Sequence, residues 1–368
     1  DVDYLINVAS SSERSVELLK DSGDYVNAPD PKRADRVNAV YKAFQNGASV
    51  RVNGAQRFWK PLHLACRELE GVFGAPVQAN LYCSPPGTQG TSRHYDAHDV
   101  FVVQLLGTKS WRIYEPVFPL PFSLVPPLPF EERNPKTSFF YRGGPKKGQS
   151  NISDEESGAP VREMTLHAGD VLYLPRGFVH EVATSDSASA HVTLGVHVIT
   201  MLDLLTASLS LLGNRDVRLR TALPPGYLTD PTVGESMREK FNALLETFAR
   251  EADADEALDE VARSFIYNKQ GVGYGTLFSS DDAPQIDAGT TLERRPGVVF
   301  RLVRDGETTG LVSSRGSLSM PPPFAPALSF IARTPRFSVG EIPGGLSDRS
   351  KFVLARRLIA DGFFTAVG

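Results

Sequence analysis

Apolar positions along the chain change their spacing twice, and the changes mark out its elements. Up to Gly74 the pattern is mainly helical. Val16–Leu19 and Ala34–Phe44 carry apolar residues at helical spacing, with Pro31 placed to open the second of these helices and Asn46-Gly47 to stop it. Ala48–Val52 predicts a short strand. Pro61–Phe73 predicts an amphipathic helix with Leu62, Leu64, Cys66 and Leu69 among its apolar positions, ended by Gly74. From Val77 the spacing shortens. Val77–Tyr82, Val100–Leu106, Ser110–Tyr114, Glu163–Leu166, Val171–Leu174, Val179–Ala183 and His191–Ile199 predict strands separated by Gly, Pro, Asp and Ser turns. So many short strands with no helix between them point to an antiparallel sandwich or barrel. The interruption Val117–Pro160, rich in Pro, Gly and charge, is expected at the mouth of that barrel.

After Thr200 the helical period returns. Met201–Leu212 is apolar nearly all round, which predicts burial in a core or against a second copy of the chain. Val233–Glu251 and Asp255–Phe265 predict amphipathic helices, and Asp281–Ala288 a linker. The remainder predicts short strands (Val298–Leu302, Thr309–Val312), helices (Pro326–Ile331, Asp348–Asp361) and a strand-like end, Phe363–Val367. This mix resembles a winged-helix domain. No internal repeat is visible.

Composition narrows the classes. The 368 residues suffice for two or three domains with a well-buried core, and 41% hydrophobic and 22% charged residues are ordinary for a soluble protein. A formal charge of −4 carries no global nucleic-acid signature. Asp348–Asp361 offers Arg349, Lys351, Arg356 and Arg357, but Phe352, Val353, Leu354, Leu358 and Ile359 predict that it packs, so direct nucleic-acid binding is not expected. Cys66 and Cys83 cannot make a disulfide framework and suit a reducing cytoplasm. No apolar run reaches the ~20 residues that span a bilayer, and no signal-peptide pattern opens the chain. The expectation is a cytoplasmic protein with no membrane partner. A start at Asp1 rather than Met suggests residues ahead of it.

The candidate chemistry sits in Thr91–Pro116, TSRHYDAHDVFVVQLLGTKSWRIYEP. On an extended chain, residues two apart point the same way, so His94 and Asp96 present an imidazole and a carboxylate together while Tyr95 points away. Non-haem iron(II) oxygenases hold the metal with two His and one carboxylate on one face. An isolated His-x-Asp is more often a surface or structural feature, so the third ligand matters. Ala168–His180, AGDVLYLPRGFVH, predicts turn, strand, turn and a returning strand that carries His180 back by a hairpin. His98 shares the face of His94 and Asp96, but three ligands at consecutive even positions would strain an extended chain around one ion. His167 is expected at the surface, and His63 packed on its helix.

HYDAHDVFVVQLLGTKSWRIYEP, GDVLYLPRGFVHEV and SAHVTLGVH together closely resemble the JmjC-type ribosomal oxygenases, cupin-fold enzymes dependent on iron(II) and 2-oxoglutarate. The match covers about Val77–Ile199, and the later helices and winged-helix-like end resemble that family's dimerisation and C-terminal domains more loosely. The resemblance implies a mixed α and β chain. It divides into a JmjC/cupin double-stranded β-helix over residues 1–200 with N-terminal helices, a helical dimerisation domain over 201–285 and a winged-helix-like domain over 286–368. It makes His94, Asp96 and His180 the iron ligands. It makes Lys109 the cation for the distal carboxylate of 2-oxoglutarate, with Asn80, Tyr82 and Thr193 as further co-substrate contacts. Alternation along His191–Val198 puts His191, Thr193, Gly195 and His197 on the pocket side.

The implied reaction consumes 2-oxoglutarate and O2 and hydroxylates a protein side chain, an arginine or histidine of a ribosomal protein, in a homodimer. Arg93, Tyr95 and Asp99 flank the site and are expected to touch substrate, and Asp154-Glu155-Glu156 offers acidic groups to a basic segment. Hydroxylation of a biosynthetic peptide or other small substrate, and a cupin that binds metal without turnover, are the alternatives. An anchor at Lys109 with Asn80 and Tyr82 weighs against the last, because a bare metal binder needs none.

Overall fold

The computed structural model describes residues 1–12, 15–20, 24–26, 35–122, 152–268, 285–305 and 308–367. Pro31, most of the long interruption (123–151) and the first part of the expected linker (281–284) lie outside them. In chain order the first elements are α1 (Val2–Ser10), β1 (Val16–Lys20), β2 (Asp24–Val26), α2 (Arg36–Gln45), β3 (Ser49–Val52) and α3 (Lys60–Phe73). β4 (Val77–Ser84), β5 (Gln89–His94), β6 (Asp99–Leu106), β7 (Thr108–Tyr114), α4 (Asp154–Ser157), β8 (Arg162–His167), β9 (Val171–Leu174), β10 (Val179–Thr184) and β11 (Ser189–Val196) follow.

These strands form two antiparallel sheets, one of seven strands in the order β2-β1-β3-β4-β11-β6-β9 and one of four in the order β5-β10-β7-β8. The interleaved order is that of a JmjC/cupin double-stranded β-helix. The larger sheet separates two environments. Val77, Ala79, Leu81 and Cys83 of β4 and Val192 and Val196 of β11 alternate into a core shared with Leu5, Ile6 and Ala9 of α1, Val40 of α2 and Leu62 and Cys66 of α3. Burial pushes both thiols up to about 12, so Cys66 and Cys83 pack as small apolar groups. On its other face, Val100, Val102 and Leu174 meet Trp111, Ile113, Leu166 and Val182 of the smaller sheet. The polar residues of the site share this second, inter-sheet space.

One early expectation changes, and one strand was not foreseen. Val16–Leu19 is strand β1, not helix, and Val16 pairs with Val52. A run this short cannot separate a period of two from one of 3.6, and sheet pairing decides it. The strand β5, QGTSRH, has no apolar residue to alternate, and it forms because β10 pairs with it. Gly107, between β6 and β7, has φ +61°, and a Cβ there would lie 2.2 Å from the Ala188 carbonyl oxygen. Only glycine allows the tight turn that aims β7, and with it Lys109, back across the barrel.

Beyond the barrel come α5 (Met201–Arg215), α6 (Pro231–Glu251) and α7 (Ala254–Asn268). Thr200 opens α5 with a capping box: its hydroxyl accepts from Asp203 N at 3.3 Å, and the Asp203 carboxylate accepts from Thr200 N at 2.7 Å. Within this chain α5 buries only Ser208 and Leu212, leaving Met201, Leu202, Leu205 and Leu209 exposed. The last segment comprises β12 (Thr291–Arg294), β13 (Arg301–Asp305), β14 (Thr308–Ser313), β15 (Gly316–Met320), α8 (Ala325–Arg333), β16 (Arg336–Ser338), α9 (Asp348–Ala360) and β17 (Phe364–Val367). It has its own core, in which Leu354, Ala355 and Leu358 of α9 meet Leu328 and Ile331 of α8 and Leu292 of β12. The arrangement of small sheets and short helices is winged-helix-like. No helix among the described residues is long and apolar enough to cross a membrane.

Candidate metal centre

β5 and β10 are neighbours, and their register sets His94 directly opposite His180. Their rings lie 4.3 Å apart, centroid to centroid. Asp96 follows on the same side, with a carboxylate oxygen 3.8 Å from His180 Nε2. One ligand atom from each of His94, Asp96 and His180 falls within 4.8 Å of the others.

Backbone carbonyls orient both imidazoles. His94 Nδ1 lies 2.7 Å from the Ser92 carbonyl oxygen and His180 Nδ1 lies 3.1 Å from that of Phe178. A carbonyl only accepts, so each Nδ1 carries its proton and each Nε2 keeps a lone pair for a metal. The turn ahead of His180 is tied to the Asp96 segment: Gly177 N donates to Asp96 O at 3.0 Å, and Arg176 N donates to the Asp99 carboxylate at 2.9 Å. Gly177 has φ +90°, and a Cβ there would meet Phe118 O at 2.8 Å, so the turn needs glycine.

Electrostatics suit a cation. Burial and the neighbouring His94 pull His180 down to about 4, which keeps it a neutral ligand. Burial works to raise Asp96, but the imidazoles of His98, His94, His180 and His197 outweigh it and hold the carboxyl below its ordinary value. Two imidazole lone pairs and one carboxylate fit a divalent first-row metal with open coordination positions.

The co-substrate candidates lie on facing inner surfaces. Lys109 of β7 is only 1% exposed, and its Nζ lies 2.9 Å from His191 Nδ1 of β11. Tyr82 stacks on His191 at 4.9 Å, and Trp111 approaches the same ring edge-on at 5.8 Å. Asn80 and Thr193 oppose each other one step further along β4 and β11, on the side of Tyr82 and His191. The Asn80 side-chain oxygen is committed to Gly54 N at 3.0 Å and Gln78 Nε2 at 3.1 Å, so what Asn80 can offer a ligand is its amide N–H. Lys109, Tyr82, His191 and Trp111 thus form one contact group, with Asn80 and Thr193 beside it.

The flanking residues Arg93, Tyr95 and Asp99 each make contacts within the fold. Tyr95 is buried with Tyr114, Ile152 and Val179. Asp99 holds the Arg176 turn. Arg93 lies over the Tyr114 ring at 4.3 Å and pairs with Glu181 and Asp154, fastening α4 to β5. Asp154 pairs with Arg93 and Glu156 caps α4 through Ser153 N at 3.0 Å, while all three acidic residues stay exposed. Asp99 was missed as an anchor of the hairpin because the turn it grips is far off in sequence. His191 and Trp111 were visible on the right faces, but nothing local signals their contact with Lys109.

The remaining histidines stand outside the ligand group. His167 is exposed, and His63 is buried on α3. His98 faces His197 at 4.8 Å. A Cβ on Gly195 would lie 2.9 Å from the His98 ring. Gly195→Ala should therefore lower stability by about 1–3 kcal/mol through overpacking. Adding His98→Ala should restore most of it, a coupling readable in a double-mutant cycle of denaturant unfolding.

Comparison with known proteins agrees with this geometry. Residues 55–204 match the JmjC domain. Ribosomal oxygenase 1 of Danio rerio is 30% identical over 373 residues, covering 89% of this chain and 64% of the relative. The bifunctional lysine-specific demethylase and histidyl-hydroxylase NO66 of Dictyostelium discoideum is 30% identical over 281 residues, covering 72% of this chain and 50% of the relative. The chain thus spans about half to two-thirds of the length of these relatives. Among solved structures, YcfD, a ribosomal oxygenase from Escherichia coli in complex with cobalt and 2-oxoglutarate, superposes with a TM-score of 0.53 at 19% identity, covering 100% of this chain and 91% of that one. That likeness establishes a shared fold along the whole chain. Residues 55–204, which carry the His-Asp-His cluster, thus form a JmjC domain, and the chain is similar to the ribosomal oxygenases that share it.

Proposed function

We propose that this protein is an iron(II)- and 2-oxoglutarate-dependent oxygenase that hydroxylates a side chain, arginine or histidine, of a ribosomal protein. The observation that carries the reading is the pairing of the His94, Asp96 and His180 cluster with a buried lysine on a facing strand. His94 and His180 would hold the iron through Nε2 and Asp96 through a carboxylate oxygen. When bound, iron with 2-oxoglutarate and O2 supplies the oxidation, giving succinate and CO2 and placing one oxygen atom in a substrate C–H bond. Lys109 would bind the distal carboxylate of 2-oxoglutarate, with Asn80, Tyr82 and Thr193 lining its sides. Val100, Val102, Trp111 and Val182 keep water from the inner end of the space between the sheets.

The substrate class rests on the relatives named for ribosomal oxygenation and histidyl hydroxylation. The test is to incubate purified protein, iron(II) and 2-oxoglutarate with ribosomal proteins and follow succinate and any peptide that gains one oxygen atom. Turnover confined to small peptides would favour the biosynthetic reading.

The division into catalytic (1–200), helical (201–285) and winged-helix-like (286–368) domains, a cytoplasmic location and a homodimer complete the proposal. The exposed apolar face of α5 supports the dimer, since Met201, Leu202, Leu205 and Leu209 otherwise stand in water. Leu205→Asp should weaken self-association at least about 100-fold by placing an unpaired charge in that contact. Light scattering should then read a monomer where the wild type reads a dimer, and a monomeric wild type would contradict the assignment.

A further inference from the structure

His191 has no part in the ligand set, yet it occupies the centre of the Lys109 group. It lies buried on the inner face of β11, with Tyr82 parallel to its ring at 2° between planes and the Trp111 edge at 75°. These aromatic walls fix the plane of the imidazole, and its Nδ1 faces Lys109 Nζ, 2.9 Å away. An ammonium group only donates, so Nδ1 accepts and the ring proton sits on Nε2. Burial, and then the charge of Lys109, hold His191 well below its ordinary value, so it stays neutral.

A buried ammonium is costly without acceptors. With no anion bound, His191 supplies Lys109 with one, and the direction of that bond leaves the other N–H groups of Lys109 for a ligand.

We propose that His191 is a positioning residue for 2-oxoglutarate: clamped between Tyr82 and Trp111, it accepts one N–H of Lys109 and thereby presents the others to the distal carboxylate. The inference rests on the reading of Lys109 as the co-substrate anchor. Removing the acceptor leaves the ammonium less well held in the same buried space. The amine then favours its neutral form and must take up a proton to meet the carboxylate.

The test is calorimetric titration of manganese-loaded protein with 2-oxoglutarate in buffers of different ionisation enthalpy, which gives affinity and proton uptake without turnover. Wild type should bind with a fractional proton uptake that grows as pH rises above 7. His191→Leu should bind about tenfold more weakly or worse, with greater proton uptake at the same pH and unchanged manganese content. His191→Asn, which can place an amide oxygen near the position of Nδ1, should recover most of the affinity and the wild-type proton uptake. A merely structural histidine would change metal content or stability without moving proton uptake. Affinity and uptake in His191→Leu equal to wild type would overturn the inference. So would a folded His191→Asn that binds as weakly as Lys109→Met, and this variant decides the matter should His191→Leu fail to fold. Wild type that binds no 2-oxoglutarate overturns the anchor reading itself.

Discussion

Asp96→Asn and His180→Ala should each cut 2-oxoglutarate turnover at least about 100-fold, since even outer partners of a metal ligand contribute 10–100-fold. Asp96 is the only carboxylate in the cluster. Asn keeps its shape and removes its charge. If Asp96→Asn keeps its iron and its turnover, the charge of Asp96 is not what holds the metal. His180→Ala removes one of two imidazoles fixed by backbone carbonyls, and nothing else in the cluster can replace it, because His98 is turned towards Gly195 and His197. Iron content by elemental analysis should fall with activity in both variants. Thermal unfolding of the metal-free proteins separates loss of metal from loss of fold, a needed control because His180 is buried and stacks on Trp111.

Lys109→Met should weaken 2-oxoglutarate binding by about 2–5 kcal/mol, roughly 30-fold to several thousand-fold, the usual cost of removing one partner from a buried charge pair. The same change should alter how stability depends on pH. Burial lowers Lys109 from 10.5 to about 7 in the folded chain. Between these values the unfolded chain binds a proton that the folded chain does not, so unliganded stability rises with pH through this window. Below about pH 7 both states carry the proton and the slope from Lys109 vanishes. Lys109→Met should remove that slope, measured by denaturant unfolding from pH 7 to 10. The opposite trend should appear in binding: affinity for 2-oxoglutarate should fall as pH rises above 7 in wild type, because the carboxylate requires the charged lysine. Parallel pH profiles in wild type and Lys109→Met would remove the basis for both expectations.

How far the sequence discloses this site depends on what each residue's neighbours look like. The barrel was legible because β4, β6, β7 and β11 have apolar runs long enough to show strand character. β5 was hidden, although it ends in His94, because its residues are all polar or glycine and its strand character comes from β10. His180 could be placed because a turn, a strand and a second turn precede it. The contact between Lys109 and His191 joins residues 82 positions apart, and the closure of one sheet over the other creates it. The same closure gives Arg93, Tyr95 and Asp99 partners that their place in the sequence does not reveal. Proximity to a metal-binding motif in sequence does not tell a substrate contact from a brace.

The proposed activity requires this chain to couple 2-oxoglutarate consumption to its own His-Asp-His cluster. Purified protein loaded with iron(II) should convert 2-oxoglutarate to succinate, with one oxygen atom entering a ribosomal-protein peptide for each succinate in the coupled reaction. The same preparation of Asp96→Asn should make neither product. Wild-type protein that holds iron and 2-oxoglutarate, yet forms no succinate with ribosomal proteins present, would contradict the account and mark the chain as a metal-binding cupin.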